Sequence, residues 1–192
     1  MNPAILLLGL ANFALIGALP FCFFKKSGKF NAMWWLTAAP FFFCPGFLTA
    51  AFLGLISPAV RPESWLGVLL QFGSLVSSIV SIALIFFALG CHRIPIALWH
   101  QVDDAPESIV TYGPYQRVRH PFYAAFLLAC AGAFLLAPQW GPLLTLIYAL
   151  LTLNFTAANE ERRLAGSRLG AEYQNYLRQT GRFWPRWRRS QT

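Results

Sequence analysis

Side chains able to hold a ligand or a proton concentrate in a short stretch of the second half of the sequence. Tyr115, Arg119 and His120 stand between Pro114 and Pro121. Because proline fixes its backbone angles, these side chains are held in a rigid local frame. Pro121 suits the first turn of a helix, where free backbone N–H groups attract an anion such as a carboxylate. Arginine beside aromatic residues is also ordinary anchoring at a membrane surface, and that alternative stays open.

Polar residues also follow one face of a predicted helix further along the chain. Thr152, Thr156, Asn159 and Glu160 recur at helical spacing, so they share a face. Polar side chains in a membrane-spanning helix seldom face lipid. The pattern therefore indicates contact with a hydroxyl-bearing or cationic ligand. The alternative is that Glu160 and the adjacent Glu161 pair with the nearby arginines.

The elements that position these residues are predicted to be membrane helices. The chain is 57% hydrophobic and only 11% charged, whereas a soluble domain has about 25% charged residues. Four stretches lack charge altogether, at residues 3–24, 32–58, 65–91 and 122–159. The last is too long for one crossing of about 20 residues, and turn residues around Pro138 divide it. We expect an all-α polytopic membrane protein with about five transmembrane helices, the last two at 122–138 and 140–158.

The basic residues predict how these helices are oriented. With the N-terminus outside, segments 25–31, 91–121 and 159–192 lie in the cytoplasm and carry three, three and eight of the 15 Lys and Arg residues. Arg61 alone lies outside, as the positive-inside rule requires. The net charge of +8 then faces anionic lipid. We expect the lipid bilayer, and no nucleic acid, as a partner.

The first apolar stretch and the cysteines carry no separate function. A basic pair, Lys25 and Lys26, follows the first stretch instead of preceding it. This order predicts a retained helix and not a signal peptide. The four cysteines form no close pair in the sequence, which predicts buried thiols and neither a disulfide framework nor a metal site.

The chain divides into two parts that we expect to form one integrated unit. Residues 1–90 hold three N-terminal transmembrane helices. Residues 91–192 hold a polar loop, a transmembrane hairpin and a C-terminal helix. In that last helix, apolar residues recur at helical spacing among charged ones, which predicts an amphipathic helix on the cytoplasmic face.

Three motifs in this second part carry a family resemblance. GPYQRVRHPFY, then NEERRL, then LGAEYQNY followed by a proline resemble the isoprenylcysteine carboxyl methyltransferase and phospholipid methyltransferase superfamily of integral membrane enzymes. The resemblance covers about residues 90–185. It implies an S-adenosylmethionine-dependent methyltransferase that acts at the cytoplasmic face on a lipophilic small molecule or a lipid-modified acceptor.

The resemblance also implies which residues form the site. The cofactor contacts would be His100 or Gln101, Glu107, Ser108, Ile109, Val110, Tyr115, His120, Pro121, Phe122, Tyr123 and Glu160. We expect the acceptor to enter sideways near Thr152 and Thr156. Arg119, Glu160 and Arg162 are the candidates for a direct role in catalysis, and the sequence does not choose among them.

One departure from the family concerns the acceptor. The prenylcysteine enzymes place an arginine, as a substrate contact, four residues before the cofactor-binding glutamate, and this sequence has Thr156 there. Prenylcysteine is therefore not assigned as the acceptor. Two other functions also fit. Sterol reductases resemble the C-terminal half and bind NADPH, whose 2′-phosphate needs an arginine or lysine cluster, and a non-catalytic membrane scaffold could share the fold.

Overall fold

A computed structural model describes residues 1–18, 24, 28–57, 59–91 and 108–186. These residues form six α-helices, one 3-10 helix and two isolated β-bridges. The α-helices are α1 Pro3–Gly17, α2 Ala32–Phe52, α3 Trp65–Gly90, α4 Pro121–Leu136, α5 Trp140–Ala165 and α6 Gly170–Gln179, and the 3-10 helix is Gly113–Gln116. The described part of the chain is all-helical, as the sequence predicts.

Three of these helices are long and apolar enough to cross a membrane. They are α2, α3 and α5, with 21, 26 and 26 residues. The two other predicted membrane helices, α1 and α4, are apolar but have only 15 and 16 residues. These two are shorter than the roughly 20 residues of a full crossing.

The ends of the helices follow from local sequence signals. Asn2 caps α1 by accepting a hydrogen bond from Ala4 N at 2.9 Å, and Ser64 caps α3 through Gly67 N at 3.0 Å. Pro121 is the first residue of α4, where its missing N–H costs nothing. The turn predicted around Pro138 separates α4 from α5.

Helix α5 continues beyond the predicted membrane span, 140–158. It ends at Ala165. Glu160 and Glu161 therefore lie inside the helix, and Arg162 and Arg163 occupy its last turn, where the helix dipole favours positive charge. The two carboxylates are thus fixed by a continuous helix and not by a loop.

Helix α4 lies at the centre of the bundle, in contact with α1, α2, α3 and α5. Small and hydroxyl-bearing residues allow its close approach to α3. Ser74 Oγ donates to Gly132 O at 2.8 Å, and Ser81 Oγ donates to Ala125 O at 2.7 Å. A side chain at Gly132 would meet Ser78 Oγ at 3.2 Å. The core consequently centres on α4, whose inner residues are buried.

Helices α1 to α5 run back and forth between two ends of the bundle. At the first end, Asn2 N donates to Gln71 Oε1 at 2.9 Å, and the Gln139 side chain bonds Ser57 O. At the opposite end, Tyr112 Oη donates to Cys91 O at 2.6 Å. That opposite end also holds the start of α4 and the end of α5, so it is called the site end below.

Helix α6 packs against the site end by one face. Its Tyr173 and Tyr176 are buried with Leu164 of α5, and Ile109 and Leu177 pack at the edge of this cluster. The residues on the other face of α6, among them Glu172, are exposed. The helix is amphipathic, as predicted, and its apolar face covers protein.

Candidate functional site

Two adjacent carboxylates are buried at the site end of α5. Glu160 and Glu161 are each only 7% exposed. Consecutive residues of a helix point about 100° apart, so the two side chains meet different neighbours. A buried carboxylate is costly unless it is paired or hydrogen-bonded. The partners of each one therefore indicate what it does.

Glu160 contacts the first turn of α4. Tyr123 Oη donates to Glu160 Oε1 at 2.7 Å, and His120 Nδ1 lies 3.5 Å from Glu160 Oε2. The His120 and Tyr123 rings stack with their centroids 5.3 Å apart and their planes 3° apart. The structure thus brings together three of the residues expected to contact the cofactor, from two helices.

Glu161 is held by two arginines. Arg119 Nε donates to Oε1 of Glu161 at 2.9 Å. Arg182 donates from Nε to Oε1 at 3.1 Å and from Nη2 to Oε2 at 2.6 Å. The hydrogen bonds that Arg182 donates to this carboxylate raise the pKa of its guanidinium above the ordinary value. The open alternative, that the carboxylates pair with arginines, therefore holds for Glu161.

His120 lies between the two carboxylates. Its Nδ1 faces Glu160, and its Nε2 lies 3.3 Å from Glu161 Oε1. The ring of Phe183 meets the imidazole edge-on, with the centroids 6.2 Å apart. Both ring nitrogens are thus directed at acids, and the orientation of His120 depends on the positions of both glutamates.

The four residues after α6, Thr180 to Phe183, form a segment that we call the C-terminal strap. Arg119 N donates to Gly181 O at 2.8 Å, and His120 N donates to Arg182 O at 3.1 Å. The strap therefore occupies two backbone N–H groups next to Pro121, where free N–H groups are predicted to attract an anion. The N–H groups of Phe122 and Tyr123, in the first turn of α4, remain as candidates.

Tyr115 approaches the same site from the 3-10 helix. Tyr176 Oη of α6 donates to Tyr115 O at 2.6 Å. Burial raises the pKa of the Tyr115 phenol well above its ordinary value, with smaller contributions from Cys91, Tyr176 and Glu160. Burial likewise raises the pKa of Tyr176 to about 12. Both phenols therefore stay protonated at neutral pH, where each can donate a hydrogen bond.

The other expected cofactor contacts lie before the 3-10 helix, in the first turn of α4, or outside the described residues. Ser108, Ile109 and Val110 precede the 3-10 helix, and Ile109 packs on the α6 cluster. Pro121 and Phe122 belong to the first turn of α4 and pack in the core. His100, Gln101 and Glu107 lie outside the described residues.

Of the residues expected to contact the substrate or to act in catalysis, some form hydrogen bonds within the protein and one is exposed. Thr152 and Thr156 each donate a hydrogen bond at 2.9 Å to the carbonyl four residues back in α5. Thr156 is 6% exposed and lies one turn before Glu160. Arg119 is engaged by Glu161 and by the carbonyls of Leu177 and Thr180. Arg162 is exposed on the outer face of α5.

Sequence reasoning did not single out Arg182, Asn154 or Phe183. Arg182 Nη1 donates to Asn154 Oδ1 at 2.6 Å, in addition to its bonds with Glu161. The available signal was Glu161 itself, because a buried acid on a helix requires a positively charged or hydrogen-bonding partner. Spacing could not have named that partner, since a turn and a whole helix separate Glu161 from Arg182.

No protein-family model, curated protein or solved structure matches the chain. The class of the protein is therefore defined by its fold and its site. The regular elements of its described residues are all helices, and three of those helices are long and apolar enough to cross a membrane. A buried cluster of acids, aromatic rings and arginines lies at one end of the bundle.

Proposed function

We propose that the chain is an integral membrane methyltransferase that uses S-adenosylmethionine and acts on a lipophilic or membrane-delivered acceptor. The observation that carries this proposal is Glu160. Its buried carboxylate contacts the phenol of Tyr123 and the ring of His120, while the arginines Arg119 and Arg182 are directed at Glu161. The contacts described for Glu160 are thus with aromatic groups that can line a ligand site.

The donor groups at the site fit the chemical groups of this cofactor. A carboxylate such as Glu160 accepts hydrogen bonds from ribose hydroxyls. The rings of Tyr115, His120 and Tyr123 offer faces on which an adenine can pack or near which a cation is stabilised. The N–H groups of Phe122 and Tyr123 suit a carboxylate. When bound, the cofactor supplies an activated methyl group on a sulfonium.

The contribution of the protein is to orient the reactants and to exclude water. The acids and rings of the site are held on two helices, α4 and α5, and Glu161 fixes the arginines between them. Burial of Glu160 and Thr156 keeps water from this region. Such positioning is the main requirement of an in-line displacement at carbon.

The engagement of the arginines argues against the reductase alternative. The 2′-phosphate of NADPH needs a guanidinium or ammonium group that is available to bind it. Among the described residues, Arg119 and Arg182 are the arginines at the buried site; both are bound to Glu161, and Arg182 also binds Asn154. This favours a cofactor without that phosphate.

The proposal includes five membrane crossings, with the N-terminus outside and the site end in the cytoplasm. Helices α1 to α5 run between the same two ends of the bundle, which supports this topology. The short helix α4 is surrounded by four others, so its ends face protein more than lipid. The α4–α5 turn would then lie outside, on the same side as Arg61.

Binding of S-adenosylhomocysteine tests the site directly. The full-length protein in lipid nanodiscs is titrated by calorimetry with S-adenosylhomocysteine and, separately, with NADPH. We expect the wild type to bind the first. Glu160→Gln should weaken binding by about tenfold or more, because a hydrogen bond to a charged group is lost. Glu172→Gln removes the same charge from an exposed position of α6 and should leave the affinity unchanged.

Three outcomes would contradict the proposal. Tight NADPH binding without S-adenosylhomocysteine binding would support the reductase. Equal affinities of Glu160→Gln and Glu172→Gln would place the site elsewhere. Bound S-adenosylhomocysteine without transfer of radiolabel from S-adenosylmethionine to any component of the membrane would favour the scaffold. Where label is transferred, its extraction with lipid, peptide or small molecules identifies the class of acceptor.

A further inference from the structure

Arg182 connects the C-terminal strap to α5 at two points. Its Nη1 donates to Asn154, and its Nε and Nη2 donate to Glu161. Asn154 and Glu161 lie about two helical turns apart, so the same face of α5 presents both acceptors. A guanidinium held at both ends of its planar fork has a fixed orientation. The side chain of Arg182 is therefore braced along the helix.

Arg182 also determines the position of Glu161 more completely than Arg119 does. Arg119 reaches this carboxylate through Nε, while its Nη1 is directed at the carbonyls of Leu177 and Thr180. Arg182 contacts both carboxylate oxygens, Oε1 at 3.1 Å and Oε2 at 2.6 Å. Rotation of the Glu161 carboxylate would break the contacts of Arg182 on both oxygens.

The position of Glu161 in turn affects His120. Oε1 of Glu161, which Arg182 holds, lies 3.3 Å from His120 Nε2. The opposite ring nitrogen faces Glu160, and the backbone N–H of His120 donates to Arg182 O. His120 thus contacts Arg182 through the main chain and, by way of Glu161, through the side chain. A substitution of the Arg182 side chain therefore removes the connection through Glu161 and keeps the backbone hydrogen bond between His120 N and Arg182 O.

We propose that Arg182 is a positioning residue, which fixes the His120 ring against Glu160 by holding the Glu161 carboxylate. This inference rests on the proposed cofactor site, and it assigns the C-terminal strap to that site. Arg182 itself touches no reacting atom. Its effect on ligand binding passes through Glu161, so the two residues must act as one unit.

A double-mutant cycle on S-adenosylhomocysteine affinity tests this coupling. Arg182→Gln removes the guanidinium, Arg182→Lys keeps the charge without the fork, and Arg178→Gln removes an exposed arginine of α6 as the control. We expect Arg182→Gln to weaken binding about tenfold, Arg182→Lys to restore part of the loss, and Arg178→Gln to match the wild type. The double variant with Arg182→Gln and Glu161→Gln should bind S-adenosylhomocysteine about as well as the single variant with the lower affinity. The effects of two substitutions do not add when the residues are coupled.

The NMR signals of the histidine ring report on position without any ligand. In protein labelled with ¹⁵N-histidine, the His120 signals are assigned by their loss in His120→Gln. We expect these signals to move in Arg182→Gln and to stay in place in Arg178→Gln, with circular dichroism showing that both variants are folded. Unmoved His120 signals, wild-type affinity of Arg182→Gln or additive losses in the cycle would overturn the inference. A wild type that fails to bind S-adenosylhomocysteine counts against the proposed function alone, because the His120 signals still test the positioning.

Discussion

Asn12 is a buried polar side chain that the helix bundle does not fully satisfy. It is completely buried, and its Nδ2 has no acceptor among the described residues. Ser81 Oγ lies 3.2 Å from Asn12 Oδ1 and 2.7 Å from Ala125 O, but a hydroxyl has one proton and donates to the nearer carbonyl. Nδ2 therefore has no hydrogen-bond partner among the described residues.

Replacement of Asn12 by alanine is expected to stabilise the protein. Removal of an unpaired buried group gains about 1–3 kcal/mol, and the small cavity that alanine leaves offsets part of this. The free energy of unfolding should rise by about 1 kcal/mol, as measured by denaturant titration in detergent. Phe13→Ala, one residue further along α1, should instead lower it by roughly 3–5 kcal/mol. A loss in Asn12→Ala comparable to that of Phe13→Ala would show that both polar atoms of Asn12 are satisfied.

At the scale of the elements, the 3-10 helix is joined to the end of α3 through Gly113. Gly113 has a φ of 62°, and a Cβ placed there would lie 2.5 Å from Cys91 Sγ. Tyr112 Oη bonds Cys91 O beside this contact. Because Tyr115 follows two residues later, the junction determines how that residue enters the site.

Gly113→Ala is expected to reduce both stability and ligand binding. The left-handed backbone costs alanine about 1–2 kcal/mol, and the clash with Cys91 adds about 1–3 kcal/mol. Gly54→Ala is the matched control, since Gly54 has a φ of 74° with open space around its Cβ position. Unfolding measurements should show a larger loss for Gly113→Ala than for Gly54→Ala, and only Gly113→Ala should weaken S-adenosylhomocysteine binding.

The contribution of the clash can be separated by removing its partner. Cys91→Ala takes away the sulfur that the new Cβ would meet, so the double variant should recover most of the difference between Gly113→Ala and Gly54→Ala. Persistence of the full loss in the double variant would assign the effect to the backbone conformation alone.

The helices were predictable from the sequence where the signal is local. Pro121 marks the start of α4, the turn at Pro138 separates α4 from α5, and the apolar spacing around Tyr173 and Tyr176 indicates α6. The charged residues after residue 158 mark the predicted exit of α5 from the membrane, and they do not indicate where the helix ends. In the structure those charges continue the helix, and their partners come from other elements.

The site was predictable only in part, for a related physical reason. Pro121 singles out His120, the family resemblance adds Tyr123, and helical spacing places Glu160 on one face with Thr156, but none of these signals shows that the groups meet. The pairing of Glu161 with Arg119 and Arg182 depends on the return of the strap after α6. That return rests on backbone bonds between distant segments, such as Arg119 N to Gly181 O, and no spacing in the sequence encodes them.

At the scale of the whole molecule, the helices present an exposed apolar surface around a closely packed centre. Phe72 and Phe87 of α3 and Leu151 of α5 are 61%, 68% and 64% exposed. In water, so large an exposed apolar surface would be unfavourable. The central helix α4, in contrast, buries most of its residues. This distribution fits the proposed topology, in which α4 crosses the membrane surrounded by the other helices of the bundle.

Accessibility of single cysteines tests whether α4 crosses. In a variant with the four native cysteines replaced by alanine, Gln139→Cys places a thiol in the α4–α5 turn and Ser167→Cys places one after α5. If α4 crosses, a membrane-impermeant maleimide should label Gln139→Cys in intact cells and should label Ser167→Cys only after permeabilisation. The two ends of α5 serve as each other's control, because α5 is long enough to span the bilayer by itself. Labelling of Gln139→Cys only after permeabilisation would place the α4–α5 turn in the cytoplasm and contradict the proposed topology of five crossings with the N-terminus outside.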